Sequence, residues 1–293
     1  MILVTGATGT VGREVVKELT IRGERVRGLT RDPGKAGFLR QHGVEIAAGD
    51  LSRPETLDLA LKGCDRVFLL GPSDARQTEL ETNVIEAAKR AGVRQIAKLS
   101  VYGADERSPV AYCRFHAQVE QRLAESGIAH TNLRPNYFMQ NMFNYANSIS
   151  QQGAFYAPLG EGRISMVDVR DIAAVAAAVL TERGHEGKTY EVTGPEALSF
   201  GEAAQILSRV LGRKVEYVDI QPEQARSSLL GMGVPGWLVE AILAMMSEYK
   251  QGRGARVSDI VQKVGKRQPR TFEQFTREFA DRLAGVHEEV AVA

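Results

Sequence analysis

The chain has 293 residues with 37 Lys+Arg against 36 Asp+Glu, enough length to bury a large core, and too little net charge for a protein built mainly to hold nucleic acid. Cys64 and Cys113 make neither a disulfide framework nor a zinc set, and the five histidines are scattered without ligand spacing, so no metal is expected. No run approaches the roughly 20 apolar residues of a membrane helix, and the first apolar residues lead into a glycine turn rather than a leader peptide, which predicts a cytoplasmic protein with reduced thiols and no membrane partner.

Ile2, Leu3 and Val4 form a short apolar run, as suits a strand buried on both faces of a parallel sheet. Gly6-Ala7-Thr8-Gly9-Thr10-Val11-Gly12 follows at once, and Val11, Val15, Val16 and Leu19 recur at helical spacing. Strand, glycine turn and helix are the context that a dinucleotide-binding turn requires. A residue without Cβ accepts positive φ and lets the backbone approach a pyrophosphate. The N–H groups of the first helical turn then face the anion, with the helix dipole behind them. Residues 6–12 are therefore candidate cofactor ligands.

The chain then alternates. Strands are predicted over 25–30, 44–48, 67–70, 95–99 and 130–133, with helices from Pro33, from Pro54, over 78–91 and over 117–125. Gly23, Gly92 and Gly127 close helices, and Gly71-Pro72 and Pro135 stop strands. Strands separated by helices imply right-handed crossovers and a doubly wound parallel sheet of the α/β class. After Pro135 the rhythm changes. A helix is predicted over 138–150, a glycine-punctuated loop over 153–162, a strand over 164–167, an Ala/Val-rich helix over 168–180 and a strand over 190–193 able to rejoin the sheet. Ser199 and Glu202 form a capping box, a strand follows over 215–218, and residues 222–283 are mostly helical. The expected organisation is a Rossmann-type dinucleotide-binding domain over 1–150, with 164–194 returning to it, and a smaller, mostly helical cap over 195–293, with 151–163. The default ligand site is the cleft between them.

The glycine turn, Leu29-Thr30-Arg31-Asp32-Pro33, Gly49-Asp50-Leu51, Leu133-Arg134-Pro135-Asn136-Tyr137-Phe138-Met139-Gln140-Asn141 and Val167-Asp168-Val169-Arg170-Asp171 together resemble the NmrA-like branch of the atypical short-chain dehydrogenases/reductases. The resemblance runs over nearly the whole chain. That branch holds NADPH-dependent quinone and triphenylmethane-dye reductases, and also proteins that bind NADP(H) without turnover and act as redox sensors. The resemblance places Asp50 and Leu51 beside the adenine, and Leu70, Gly71 and Pro72 near the ribose and nicotinamide. Ser100, Pro135 and Asn136 fall on the cofactor side as strand-end residues.

An NAD site places Asp or Glu at the end of the second strand to bond the ribose 2′-OH. Here Thr30-Arg31 stands there, with Lys35 close by. A guanidinium offers a planar fork to a 2′-phosphate, which a carboxylate repels, so NADP(H) is expected in preference to NAD(H). Asp32 is the one carboxylate positioned to argue the other way.

The wider superfamily uses Tyr-x-x-x-Lys, in which lysine lowers the tyrosine pKa. This chain has Tyr112-Cys113-Arg114-Phe115-His116, a histidine in the lysine's place. Tyr112 and His116 are the catalytic candidates, and His116 is also expected to bond the cofactor ribose. Ketone reduction needs a positioned acid, whereas reduction of a quinone or cationic dye leaves a delocalised or neutral product. The expectation is therefore hydride transfer to an electron-poor conjugated acceptor, with a non-enzymatic NADP(H) sensor as the alternative. Substrate contacts are expected from Tyr102, Tyr137, Phe138, Asn141 and Trp237. The partner is a small molecule, and homo-oligomerisation is left open.

Overall fold

The computed structural model describes residues 1–285. The first strand, β1 (Ile2–Val4), leads into α1 (Thr10–Ile21) and is followed by β2 (Val26–Thr30), α2 (Gly37–Gln41), β3 (Glu45–Ala48), α3 (Pro54–Leu61), β4 (Arg66–Leu69), α4 (Gln77–Arg90), β5 (Gln95–Leu99), α5 (Ala111–Glu125) and β6 (Ala129–Pro135). Then come α6 (Ala146–Gln152), β7 (Ala154–Ala157), β8 (Arg163–Ile164), α7 (Val169–Thr181), β9 (Lys188–Val192), β10 (Leu198–Ser199), α8 (Phe200–Leu211), β11 (Glu216–Asp219), α9 (Pro222–Gly231) and α10 (Gly236–Lys250).

Seven strands pair in the order β3-β2-β1-β4-β5-β6-β9, every pair parallel. The doubly wound Rossmann-type sheet expected from the alternation is present, and β9 rejoins it beside β6. The chain leaves β1 toward β2 and β3, then returns to β4 on β1's other side, so the direction of winding reverses between β1 and β4. At such a switch point the helices diverge and a crevice opens at the strand C-termini.

β1 explains both layers. Its side chains alternate faces. Ile2 and Val4 join the cluster with α1 and α7, including Val15, Val16, Val175 and Val179. Leu3 joins the opposite cluster with Leu57, Val84 and Leu123 of α3, α4 and α5. The Ala/Val-rich α7 is buried along nearly its whole length, and small side chains let it lie directly on the sheet and on α1. Its expected first residue, Asp168, is the cap, accepting from Arg170 N at 2.9 Å.

Several boundaries differ from expectation, each for a tertiary reason. α5 begins at Ala111, six residues before the predicted start at 117. Its first turns are rich in Tyr, Cys, Phe and His, residues of modest helix propensity, and Cys113 is held by burial in the second cluster. The segment read as a loop over 153–162 contains β7, which pairs in parallel with β11 some sixty residues later. The strand expected over 164–167 is only β8, paired antiparallel with β10, followed by a single bridge from Val167 to Phe138. The helix expected over 138–150 is a 3-10 stretch, Met139–Tyr145, running into α6. Ser199 caps α8 with Glu202 in the predicted box.

β7, β8, β10 and β11 lie outside the main sheet in two small sheets. Around them Phe155, Phe200, Phe272 and Phe275 anchor a second apolar cluster, which draws in Val110, Cys113, Met139 and Met142 from the sheet side. On this ground we propose the division into a sheet domain (1–150 and 164–194) and a cap (151–163 and 195–293), whose last residues, 286–293, lie outside the described chain. The two share an apolar seam over the C-terminal ends of β5 and β6.

Candidate functional site

The glycine turn sits at the switch point. Thr5 Oγ1 donates to Leu70 O at 2.9 Å and accepts from Leu70 N at 2.7 Å, tying the end of β1 to the end of β4. Gly6 then takes φ +59, and Gly9 N donates back to Gly6 O at 3.0 Å. Gly9 caps α1 with no side-chain acceptor, and no acidic residue stands in the first turn. The amides of Thr10 and Val11 therefore open outward from the positive end of the helix dipole. At Gly12 a Cβ would lie 2.0 Å from Gly6 O and 2.9 Å from Ala7 Cα, so only glycine lets α1 close onto the turn. A turn of this shape at a helix N-terminus is the kind of place where an anion such as a pyrophosphate is bound.

The end of β2 lies beside it. Arg31 and Lys35 are exposed. Asp32, the carboxylate able to argue for NAD, turns back on its own chain: Oδ1 accepts from Gly34 N at 2.9 Å and caps the Pro33–Lys35 turn. Asp50 accepts from Ser52 N at 2.8 Å and Ser52 Oγ at 2.7 Å. These bonds chiefly hold its carboxyl below the usual range, with Arg31 and Arg53 adding to them. Leu51 is half-buried, and its carbonyl accepts from Asn83 Nδ2 at 2.9 Å. Leu70 backs the turn, 3.0 Å from where a Gly6 Cβ would stand. Gly71 lies on the Glu81 carboxylate, and Pro72 is exposed.

Further along the strand ends, three expected cofactor-side residues are engaged internally. Ser100 Oγ donates to Glu120 Oε1 at 2.5 Å, and Arg134 grips the same carboxylate through Nε at 3.0 Å and Nη2 at 2.5 Å. Pro135 is buried, its carbonyl accepting from Tyr102 N at 2.9 Å. Asn136 was expected beside the nicotinamide, but its side chain is saturated. Nδ2 donates to Ser165 Oγ (2.8 Å) and Gly254 O (2.9 Å), and Oδ1 accepts from Tyr137 N (2.8 Å) and Tyr249 Oη (3.0 Å). An amide with all four positions used has none left for a ligand; Asn136 bolts the end of β6 to the loop after β8, to α10 and to the loop beyond it.

The catalytic candidates lie one helical turn apart on α5 and are quiet acids. Burial pushes the Tyr112 phenol well above its ordinary value, with Tyr249 and Cys113 adding to the shift. Burial holds His116 well below the ordinary imidazole value, and the cations Lys98 and Arg134 reinforce this. The ring, partly charged in isolation, stays neutral at neutral pH here.

Of the expected substrate residues, Tyr137 stands edge-on to Phe200 and Tyr249, 6.1 and 6.3 Å between centroids. Phe138 does not join it: the backbone there is extended, so successive side chains point apart, and Phe138 packs on the sheet cluster instead. Tyr102 is half-buried near Glu191 and Arg256. Asn141 is half-buried in the 3-10 stretch. Trp237 of α10 leans on Phe115 of α5, 5.9 Å between centroids, beside His116 in sequence.

A family model, NmrA-like family, matches residues 1–276. The chain belongs to the NmrA-like family. Within that family's reach, it is 45% identical over 280 residues to an NAD(P)H azoreductase of Xenophilus azovorans, covering 96% of this chain and 98% of the relative. It is 39% identical over 285 residues to a (4-alkanoyl-5-oxo-2,5-dihydrofuran-3-yl)methyl phosphate reductase of Streptomyces griseus subsp. griseus, covering 97% and 99%. Among solved structures it resembles an NADPH-dependent quinone oxidoreductase of Escherichia coli complexed with NADPH, with a TM-score of 0.87 at 29% identity over 96% of this chain and 100% of the other.

The NmrA-like pattern alone did not reveal four neighbours of His116. Phe115 precedes it on α5, Gln77 and Lys98 touch its ring, and Glu81 holds both of these. One signal was available for Lys98: a charged residue inside the apolar run of a strand expected to be covered on both faces.

Proposed function

We propose that this NmrA-like protein is an NADPH-dependent reductase that transfers a hydride to a quinone or similarly electron-poor conjugated acceptor. Bound NADPH would supply the hydride; the chain's residues bind, orient and exclude water. The α1 amides and Gly6–Gly12 would hold the pyrophosphate, and Arg31 with Lys35 the 2′-phosphate, since Asp32 is committed to its own turn. Asp50 and Leu51 would flank the adenine, and Leu70, Gly71 and Pro72 the ribose. Tyr102, Tyr137, Asn141, Trp237 and the added Phe115 would line the acceptor's side.

The observation that carries the acceptor class is the acid–base set. Neither Tyr112 nor His116 is poised to protonate an alkoxide near neutral pH. A quinone or azo acceptor spreads its charge and takes its proton from water, so alignment on the nicotinamide suffices. The names of the relatives, an azoreductase, a furanone phosphate reductase and a quinone oxidoreductase, fit acceptors of this kind. No described helix is long and apolar enough to cross a membrane. A small-molecule substrate, a cytoplasmic setting and no nucleic-acid partner complete the proposal.

Loss of NADPH absorbance with a panel of quinones, azo and triphenylmethane dyes and simple ketones tests it. Turnover is expected with the conjugated acceptors and not with the ketones. Tight NADPH binding without turnover on any acceptor would replace this reading with that of an NADP(H) sensor.

A further inference from the structure

β5 runs between β4 and β6 in the interior of the sheet. Lys98, its penultimate residue, is 0% exposed, as is Glu81 of α4. A lone ammonium in such a place costs several kcal/mol, about the scale of a whole domain's margin, so its partners decide whether it is tolerated. Lys98 Nζ has three near neighbours: Leu99 O at 2.5 Å, Glu81 Oε2 at 2.7 Å and His116 Nδ1 at 2.9 Å. The Glu81 contact is one of charge, since Oε2 has no aligned hydrogen bond among the described residues. Its other oxygen accepts from Gln77 Nε2 at 2.9 Å.

An ammonium only donates. The ring nitrogen that faces it must accept, and a neutral imidazole that accepts at Nδ1 carries its proton on Nε2. Gln77 Nε2 lies 2.9 Å from ring Nε2 and 3.2 Å from ring Nδ1 at once. A nitrogen that close to both sits over the ring face rather than in its plane, the geometry of an N–H against a π cloud. The face is therefore covered, and the Nδ1 edge is filled. His116 is half-buried, and the edge of its ring away from Lys98 is the one that carries Nε2.

We propose that Lys98, clamped by Glu81, is a positioning residue that locks His116 in the neutral Nε2–H form, so that the ring offers one hydrogen-bond donor to the cofactor side and no charge. The buried lysine thus comes from β5, behind the histidine, and acts on His116 rather than on Tyr112. The charged groups around the ring are Glu81 from α4, Lys98 from β5, Arg134 from β6 and Glu120 on α5 itself. Burial and the two cations act in one direction, against a second ring proton.

The inference rests on the reductase reading only for what the Nε2–H meets, and it is tested without turnover. Histidine ¹⁵N shifts of the wild-type protein, with His116→Asn to assign the ring, should show Nδ1 unprotonated, Nε2 protonated and no titration between roughly pH 5.5 and 8, the ordinary imidazole window. A ring that titrates there, or carries its proton on Nδ1, overturns the proposal. The double substitution Lys98→Met with Glu81→Gln removes the pair without stranding a charge. It should release the ring to titrate and add an acid limb to the pH profile of kcat/KM, falling about tenfold per pH unit below the new pKa; a folded double variant with an unchanged profile also overturns it. Should that variant fail to fold, the wild-type ring still decides. Wild-type protein inactive with every acceptor would sink the reductase reading while leaving the tautomer result standing.

Discussion

Replacing Arg31 by alanine separates cofactor choice from everything else in the molecule. The side chain is exposed, and the ion pairs near it in sequence, Arg27–Glu45 and Arg53–Glu55, do not involve it. It acts electrostatically on Asp50, where it is a minor influence beside the Ser52 hydrogen bonds. Truncation therefore removes no internal support, and stability should change by no more than about 0.5 kcal/mol. What it removes is the fork offered to a 2′-phosphate. A charge-assisted hydrogen-bond pair is worth about 2–3 kcal/mol when the other partner is left behind, which converts to roughly a 30- to 150-fold rise in Kd at about 1.4 kcal/mol per tenfold. NADH has no such phosphate, and its Kd should move by less than about threefold. Lys35 would retain part of the attraction, so the lower end is expected first, with the full loss in Arg31→Ala/Lys35→Ala. Calorimetric titration with both cofactors at low and high salt measures this, and the NADPH difference should shrink as salt screens the exposed charge. Parallel weakening of NADPH and NADH would refute the assignment of this corner to the phosphate.

Gly12→Ala should abolish cofactor binding, because the new Cβ would lie 2.0 Å from Gly6 O and must open the turn, at about 1–3 kcal/mol or more of stability; Gly37→Ala, with nothing within 4 Å of its Cβ, is the silent control by the same melting and titration assays. Asn136→Ala should lower the urea midpoint by the equivalent of about 2–5 kcal/mol, since it strands the Tyr249 hydroxyl and the Tyr137 N–H in the interior, while NADPH affinity moves far less; a larger loss of affinity than of stability would show that the side chain meets the ligand after all. The neutral His116 also predicts a sign for the pH dependence of stability. The unfolded chain takes up a proton below about pH 6.5 and the native ring does not. This contribution is therefore complete above that pH and is lost as the pH falls, at no more than about 1.4 kcal/mol per unit. Unfolding midpoints from pH 7.5 down to roughly 5.5 should fall less steeply in His116→Asn than in the wild type, and equal slopes would show that the ring titrates in the native protein.

The path of the sheet domain is legible in the chain. Apolar runs, glycine stops and capping residues are local signals, and they carried β1 with its turn, β5 to the residue, the Ser199 box and the return of β9. They also placed Arg31 at the end of β2 and the glycines directly after β1, because those positions follow from the backbone alone. Which side chains meet is settled by the closed fold. β11 is marked locally by the run over 215–218, but β7, its partner some sixty residues earlier, carries no local mark of its own. Asn136 reads as a ligand residue until Ser165, Tyr249 and Gly254 close on it. Phe138 and Tyr137 are adjacent in the chain and on opposite sides of it. Lys98 and His116, eighteen residues apart, touch because α5 follows β5 in the same crossover and folds its first turns back beside the strand's end. Backbone preference acts over a few residues, whereas a side chain's partner and charge state are set by what the closed fold brings against it.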